Sequence, residues 1–323
     1  MANPFRPAAA KAPPRVWRRW ADVLFTVLTG VGGILVLVLV ALIVVLLYYS
    51  SLLSIHTFGA SFLWTSAWNP LKNVYGVVPF VAGTLITSGL ALLIGVPLAL
   101  GSAIFITTRA PAWMRGPVGL VIELLAAIPS VVFGLWALYV VVPWMRESVD
   151  PLLAQYLGWT GLFGGTASGQ DVLTAGVVLA IMVIPTISAI SRETMAAVPK
   201  AQQEAALSLG ATDWETTRRA TIPYARLGIF GAIILGLGRA LGETMAVTMT
   251  IGNANVVPTS LFSQGASIAS LVANEFLSET GGPIELSAIF EAALVLLIIS
   301  LSVNVVARLL VWKVLKAQVG TVE

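Results

Sequence analysis

Two ionisable side chains sit deep in an apolar stretch, within Gly238-Arg239-Ala240-Leu241-Gly242-Glu243. Arg239 lies thirteen residues from Arg226 and thirteen from Gly252. At about 1.5 Å per helical residue it is roughly 20 Å from either end, too deep to snorkel to water. A guanidinium there needs a counter-charge, water or an anion. The four-residue spacing puts Glu243 on the same helical face, so the pair is expected to neutralise itself within one helix. Arg239 can then do one of two things: bind an oxyanion through charge-assisted hydrogen bonds, or lock helix packing. For Glu243 packing is the readier role, because an acid beside an anion path repels the anion unless it is committed to the arginine. Gly236, Gly238, Ala240 and Gly242 allow a second helix or a substrate to come close. Hydroxyls add to the set. Ile128-Pro129-Ser130 and Ile184-Pro185-Thr186 predict matched breaks in two other apolar runs, where Ser130, Thr186 and Ser188 can re-satisfy freed backbone groups or line a wet path. The plainer alternative for both is a packing kink.

A second constellation is polar. Pro199-Lys200-Ala201-Gln202-Gln203-Glu204-Ala205-Ala206-Leu207-Ser208-Leu209-Gly210 begins with a residue suited to a helix start and ends with one suited to a left-handed stop. Thr212 and Glu215 then have capping-box spacing, which predicts a second short helix at once. Ala205, Ala206 and Gly210 let such a bent helix–Gly–helix lie close against a partner groove, and Glu204 offers it one charged contact. An ordinary polar loop is the alternative.

Several chemistries are excluded. The chain has no cysteine and one histidine, His56, so disulfides, thiol catalysis and histidine-rich metal clusters are out. No lysine follows a glycine, so there is no phosphate-cradling Gly-x-x-x-x-Gly-Lys loop. The chain is not itself an ATPase, and no metal or catalytic triad competes for attention.

The elements that must position these groups are apolar. Of 323 residues 58% are hydrophobic and 10% charged, with mean hydropathy +0.92, which marks an integral membrane protein. Runs near 23–48, 77–106, 117–143, 172–191, 227–252 and 286–312 predict six transmembrane helices in an all-α fold, each able to cross a hydrocarbon layer about 30 Å thick. The first run outlasts a signal-peptide core and lacks a cleavage site, so 23–48 is expected to be a retained anchor. Glu123 and Glu291 are further candidates for buried, structurally paired acids, with Glu291 a possible partner for the arginine.

Fifteen of the eighteen Lys and Arg residues fall on one side of these spans. That side is expected to be cytoplasmic, with both termini and the 199–223 segment. The predicted organisation is a flexible basic tail (1–22), the first span (23–48), an external loop (49–76), a core (77–312) and a C-terminal tail (313–323). Topology and anionic lipid headgroups account for the basic tail, and nucleic acid is not an expected partner. Trp64, Trp68, Trp144 and Trp159 are expected at the membrane interface or on a docking surface.

Taken in order, these segments resemble a known family. The Glu-Ala-Ala, Gly210 and Ile222-Pro223 of the polar segment resemble the cytoplasmic coupling loop of ABC-importer permeases, with Ala220 where the wider pattern often has Ile. More narrowly, 238–249 with Gly252-Asn253 is similar to the matching stretch of PstC-type permeases of phosphate ABC importers. Trp68-Asn69-Pro70, Glu123 to Gly134, and Ile184-Pro185-Thr186 with Ser191-Arg192-Glu193 resemble the same family, so the likeness covers most of 60–255.

The resemblance implies type I ABC-importer permease architecture and import of inorganic phosphate by alternating access in a bacterial plasma (inner) membrane. It also implies partners: a homologous PstA-like permease, two copies of a cytoplasmic PstB-like ATPase carrying ATP and Mg, and an external PstS-like phosphate-binding protein. No cofactor is expected on this chain. Residues Glu204, Ala205, Ala206 and Gly210 would meet the ATPase, and Arg239, Glu243, Ser130 and Thr186 would belong to the substrate pathway. The residues alone leave open a permease for sulfate or molybdate, an ATP-independent transporter or channel gated by Arg239 and Glu243, and a membrane sensor or scaffold.

Overall fold

The structure is a computed structural model that describes residues 15–166, 168–276 and 282–319. Residues 1–14 of the predicted basic tail and 320–323 of the C-terminal tail therefore lie outside the described residues. Two compact units divide the chain, Met1–Tyr49 and Ser50–Glu323. The described part of the first is one helix, α1, which spans Arg15–Phe58 and so ends inside the second. No proline or charged residue interrupts 23–48, and large apolar side chains such as Phe25 (72%) and Leu37 (70%) are exposed. Such a surface is costly in water and costs nothing among lipid tails.

The second unit continues through α2 (Val78–Ile104), α3 (Ala112–Ala127), α4 (Ser130–Trp136), α5 (Val142–Trp144), α6 (Asp150–Leu157) and α7 (Val172–Ala196). Then come α8 (Lys200–Ser208), α9 (Asp213–Thr216), α10 (Ile222–Gly242), α11 (Met245–Thr250), α12 (Ile268–Glu275) and α13 (Gly282–Val319). Wider helical turns join α4 to α5, α5 to α6 and α9 to α10, so Ser130–Thr160 and Asp213–Gly242 each run as one helical path. Among the described residues there is no strand, and two isolated bridges, Asn69 with Val74 and Gly252 with Gly265, tie loops together. Five helical runs are long and apolar enough to cross a bilayer; α3 and Ser130–Thr160, bent by 93° at Ile128-Pro129, make a sixth if the pair is one span.

The two Ile-Pro-hydroxyl sequences therefore behave differently. Pro129 breaks its span, whereas α7 passes through Pro185 unbroken, contrary to the expectation of a matched break. Pro185 is buried inside α7, the most enclosed of the crossing helices, and neighbours hold that helix along its length. Packing of this kind outweighs one missing backbone bond.

The core around α7 is built from small residues. Ala91 and Ala99 of α2, Val183 and Ile187 of α7, and Ala232 and Ala240 of α10 form one buried cluster. Gly236 brings α10 so close to α7 that an added Cβ would lie 2.6 Å from Ile187 Cδ1. In lipid, where helix association gains little from the hydrophobic effect, such close backbone approach supplies the packing. A second cluster joins Phe62, Trp68, Tyr75 and Phe80 to Ile268 and Leu271 of α12. Trp68, expected at an interface, is 7% exposed and stacks edge-on against Tyr75 (4.9 Å) and Phe80 (5.2 Å). Trp64, Trp144 and Trp159 are exposed. Tyr75 is buried as well, and that burial, with the Glu285 and Glu275 charges adding to it, pushes its phenol up to about 12.

Candidate functional site

Arg239 lies in the last turn of α10, which stops at Gly242. Glu243 is extended (φ −69°, ψ 123°), and a new short helix, α11, starts at Met245. The expected intrahelical pairing therefore does not form: no ion pair joins Arg239 to Glu243, because the four-residue relation needs both residues on one helix. Glu243 Oε1 instead accepts from the Ala246 backbone N–H at 3.5 Å, at the start of α11. Arg239 Nη1 donates to Thr186 Oγ1 at 3.3 Å, across to α7. The carbonyl end of α10 also favours a cation in its last turn.

Arg239 faces a groove of about 630 Å³ between α10 and α13, lined by Gly231, Leu235 and Gly238 from α10 and by Asn304 and Arg308 from α13. No carboxylate lines it. The structure thus brings Arg239 and Thr186 together. Ser130, half-buried at the first position of α4, lines none of this groove. Its helix packs on α11 instead: an added Cβ on Gly134 would meet Met249 Sδ at 2.6 Å. Glu291 is buried in α13 with Oε2 unpaired and forms no ion pair with Arg239. Glu123 is more than half exposed rather than buried, and pairs with Arg192 of α7 at 2.7 Å.

Residues 199–223 fold as α8, a left-handed residue and α9. Gly210 has φ +83°, and the bonds from Gly210 N to Leu207 O (2.9 Å) and Ala211 N to Ala206 O (3.2 Å) close the end of α8. Thr212 Oγ1 accepts from Glu215 N at 3.3 Å and Glu215 Oε2 from Thr212 N at 2.9 Å, a complete capping box. The second helix is not short, since α9 runs straight on into α10 and the Arg239 turn. Glu204 and Ala205 are exposed and Ala206 is half-buried. Three residues that sequence reasoning did not single out stand out here. Leu209 is 89% exposed beside Gly210. Asn304 and Arg308 share the Arg239 groove. Their four-residue spacing on the last span is the signal available in the sequence.

Residues 95–316 match the family described as binding-protein-dependent transport system inner membrane component. A phosphate transport system permease protein PstC of Pasteurella multocida (strain Pm70) is 46% identical over 301 residues, covering 92% of this chain and 93% of that protein. The chain belongs to that family, in its PstC type. Another PstC relative, from Haemophilus influenzae, is 45% identical over 298 residues, covering 91% of this chain and 94% of its own. The fold of the PstC-type chain is also that of solved importers. A bacterial ABC transporter involved in the import of the acidic polysaccharide alginate aligns with TM-score 0.54 at 20% identity, over 90% of this chain and 98% of that one. The MetNI methionine ABC transporter, in an inward-facing form, aligns with TM-score 0.50 at 17% identity, over 74% and 94%. These establish the all-α, type I permease architecture.

Proposed function

We propose that this PstC-type chain is the transmembrane subunit of an ATP-driven importer that moves inorganic phosphate into the cell by alternating access. The observation that carries the reading is Arg239: a guanidinium within a membrane span, paired with no carboxylate among the described residues and facing a groove without acids. Such a group is free to take a phosphate oxyanion. The names of the relatives supply the cargo, since the geometry alone suits any tetrahedral oxyanion.

The family description and the bacterial relatives support a bacterial plasma-membrane setting, and the charge count supports both termini and residues 199–223 in the cytoplasm. There the exposed Glu204, Ala205 and Gly210, with the half-buried Ala206, meet a PstB-like ATPase, present as two copies and carrying ATP and Mg. A PstA-like permease completes the pathway, and a PstS-like protein delivers phosphate from outside. Closure of the ATPase pair displaces α8. Because Asp213–Gly242 is one helical path of thirty residues, displacement at the capped start of α9, three residues beyond Gly210, reaches Arg239 without an intervening loop. The same motion shears α10 against α7 and releases the guanidinium from Thr186 to the anion.

The test is radiolabelled phosphate uptake into vesicles containing this chain and its co-purifying subunits, with and without ATP, with sulfate as competitor. ATP-dependent uptake that sulfate leaves untouched is expected. Uptake by this chain alone on an ion gradient would replace the importer reading with a secondary transporter.

A further inference from the structure

The groove between α10 and α13 contains a second arginine. Arg308 is exposed and, like Arg239, forms no ion pair among the described residues. Two cations sharing one acid-free groove repel each other unless an anion or water lies between them. Asn304 stands one turn from Arg308 on the same helix. One of its amide N–H groups donates to Ser300 O at 2.8 Å, which holds the side chain and leaves the second N–H for another acceptor.

The groove is also elongated. Its lining on α10 runs from Leu227 through Gly231 and Leu235 to Arg239, a rise of about 18 Å at 1.5 Å per residue. An added Cβ at Gly231 or Gly238 would meet nothing within 4 Å, so the α10 side of the groove is open at both positions. In the topology proposed above, α10 ascends from the cytoplasm and α13 descends to it. Arg308 then stands about 6 Å closer to the cytoplasm than Asn304.

We propose that Asn304 and Arg308 form the inward half of the oxyanion path, taking the anion from Arg239 along the α10–α13 groove towards the cytoplasm. This rests on the importer reading, though not on phosphate being the cargo. A second guanidinium and an amide donor along the same groove favour onward transfer of an oxyanion, because the anion then need not be released against an apolar wall.

The absence of cysteine allows a direct electrostatic test. Asn304→Cys is introduced into the full importer in phosphatidylcholine nanodiscs, with assembly checked by co-purification of the partner subunits. Labelling of this chain by an anionic and a cationic methanethiosulfonate is followed by mass, each rate divided by that of a free thiol. Gly231→Cys serves as a second reporter in the same groove, where there is space for its side chain.

The anionic reagent is expected to react about fivefold faster, with the preference lost in Arg308→Gln and kept in Arg308→Lys. Free phosphate should slow labelling. Equal corrected rates at both reporters, or a preference that Arg308→Gln leaves intact, would overturn the proposal. So would protection by phosphatidylglycerol nanodiscs but not by free oxyanions, which would make Arg308 a lipid-headgroup anchor. Protection by sulfate and not phosphate would keep the path and remove phosphate as its cargo.

Discussion

Arg239 and Thr186 bind each other across 3.3 Å, from the last turn of α10 to the interior of α7. These are the two helices on either side of residues 199–223, so one hydrogen bond bridges the elements that a push on that segment would separate. It also explains why Arg239 needs no acid within its helix: a hydroxyl and the carbonyl end of α10 share the charge.

Thr186→Val removes the acceptor at nearly constant shape. At 3.3 Å the bond is long for a charged donor, so a loss of about 1 kcal/mol is expected in thermal unfolding of the nanodisc-embedded importer. Thr186→Ser should retain it. In a double-mutant cycle with Arg239→Gln the two losses should overlap by at least about 0.5 kcal/mol; simple additivity would mean that the contact carries no energy.

Gly210 is the joint between α8 and the helical path to Arg239. At φ +83° a Cβ meets no neighbouring atom, so substitution acts through the backbone alone. Alanine should cost about 1–2 kcal/mol there, and asparagine less, because its side chain tolerates the left-handed region. The ratio of phosphate taken up to ATP hydrolysed should fall from glycine to asparagine to alanine while membrane insertion stays constant. An unchanged ratio in Gly210→Ala would detach this joint from coupling.

What the chain reveals by itself follows the range of the interaction. The Thr212–Glu215 capping box and the left-handed Gly210 are legible because their partners lie within four residues. Arg239 and Glu243 look equally local, yet α10 ends between them and the chain restarts as α11, which packs against the distant α4. Pro129 and Pro185 carry the same Ile-Pro-hydroxyl sequence with opposite outcomes, decided by whether the surroundings bury the helix. The burial of Trp68 is illegible for the same reason, since Tyr75 and Phe80, the rings that bury it, give no periodic signal.

The α7–α10 contact makes a packing prediction. Gly236→Ala would set a methyl 2.6 Å from Ile187 Cδ1 and 2.7 Å from Cγ1, and should cost about 1–3 kcal/mol through overpacking. Ile187→Ala removes both atoms. The double variant should therefore be more stable than the sum of its single changes, and a cycle without that favourable coupling would show that the helices can part at no cost.

The N-terminal end of α7 is set by Asp171, which is fully buried and accepts the Thr174 backbone N–H at 2.8 Å as N-cap, while its Oδ2 has no partner. Burial raises its carboxyl above the usual value, against the lowering effect of the Thr174 N–H and other nearby backbone donors. The native state therefore holds this proton more tightly than the unfolded chain. The associated stability is full below the unfolded carboxyl value and is lost as pH rises through the folded one. Asp171→Asn keeps the cap acceptor and removes the charge. Its apparent Tm should match or exceed that of the unsubstituted importer at neutral pH, with the gap closing in acid. Asp171→Ala, which loses the cap as well as the charge, should lie about 1 kcal/mol below Asp171→Asn at every pH. An Asp171→Asn variant that is less stable at neutral pH than at acid pH, relative to the parent, would reverse the sign assigned to this carboxyl.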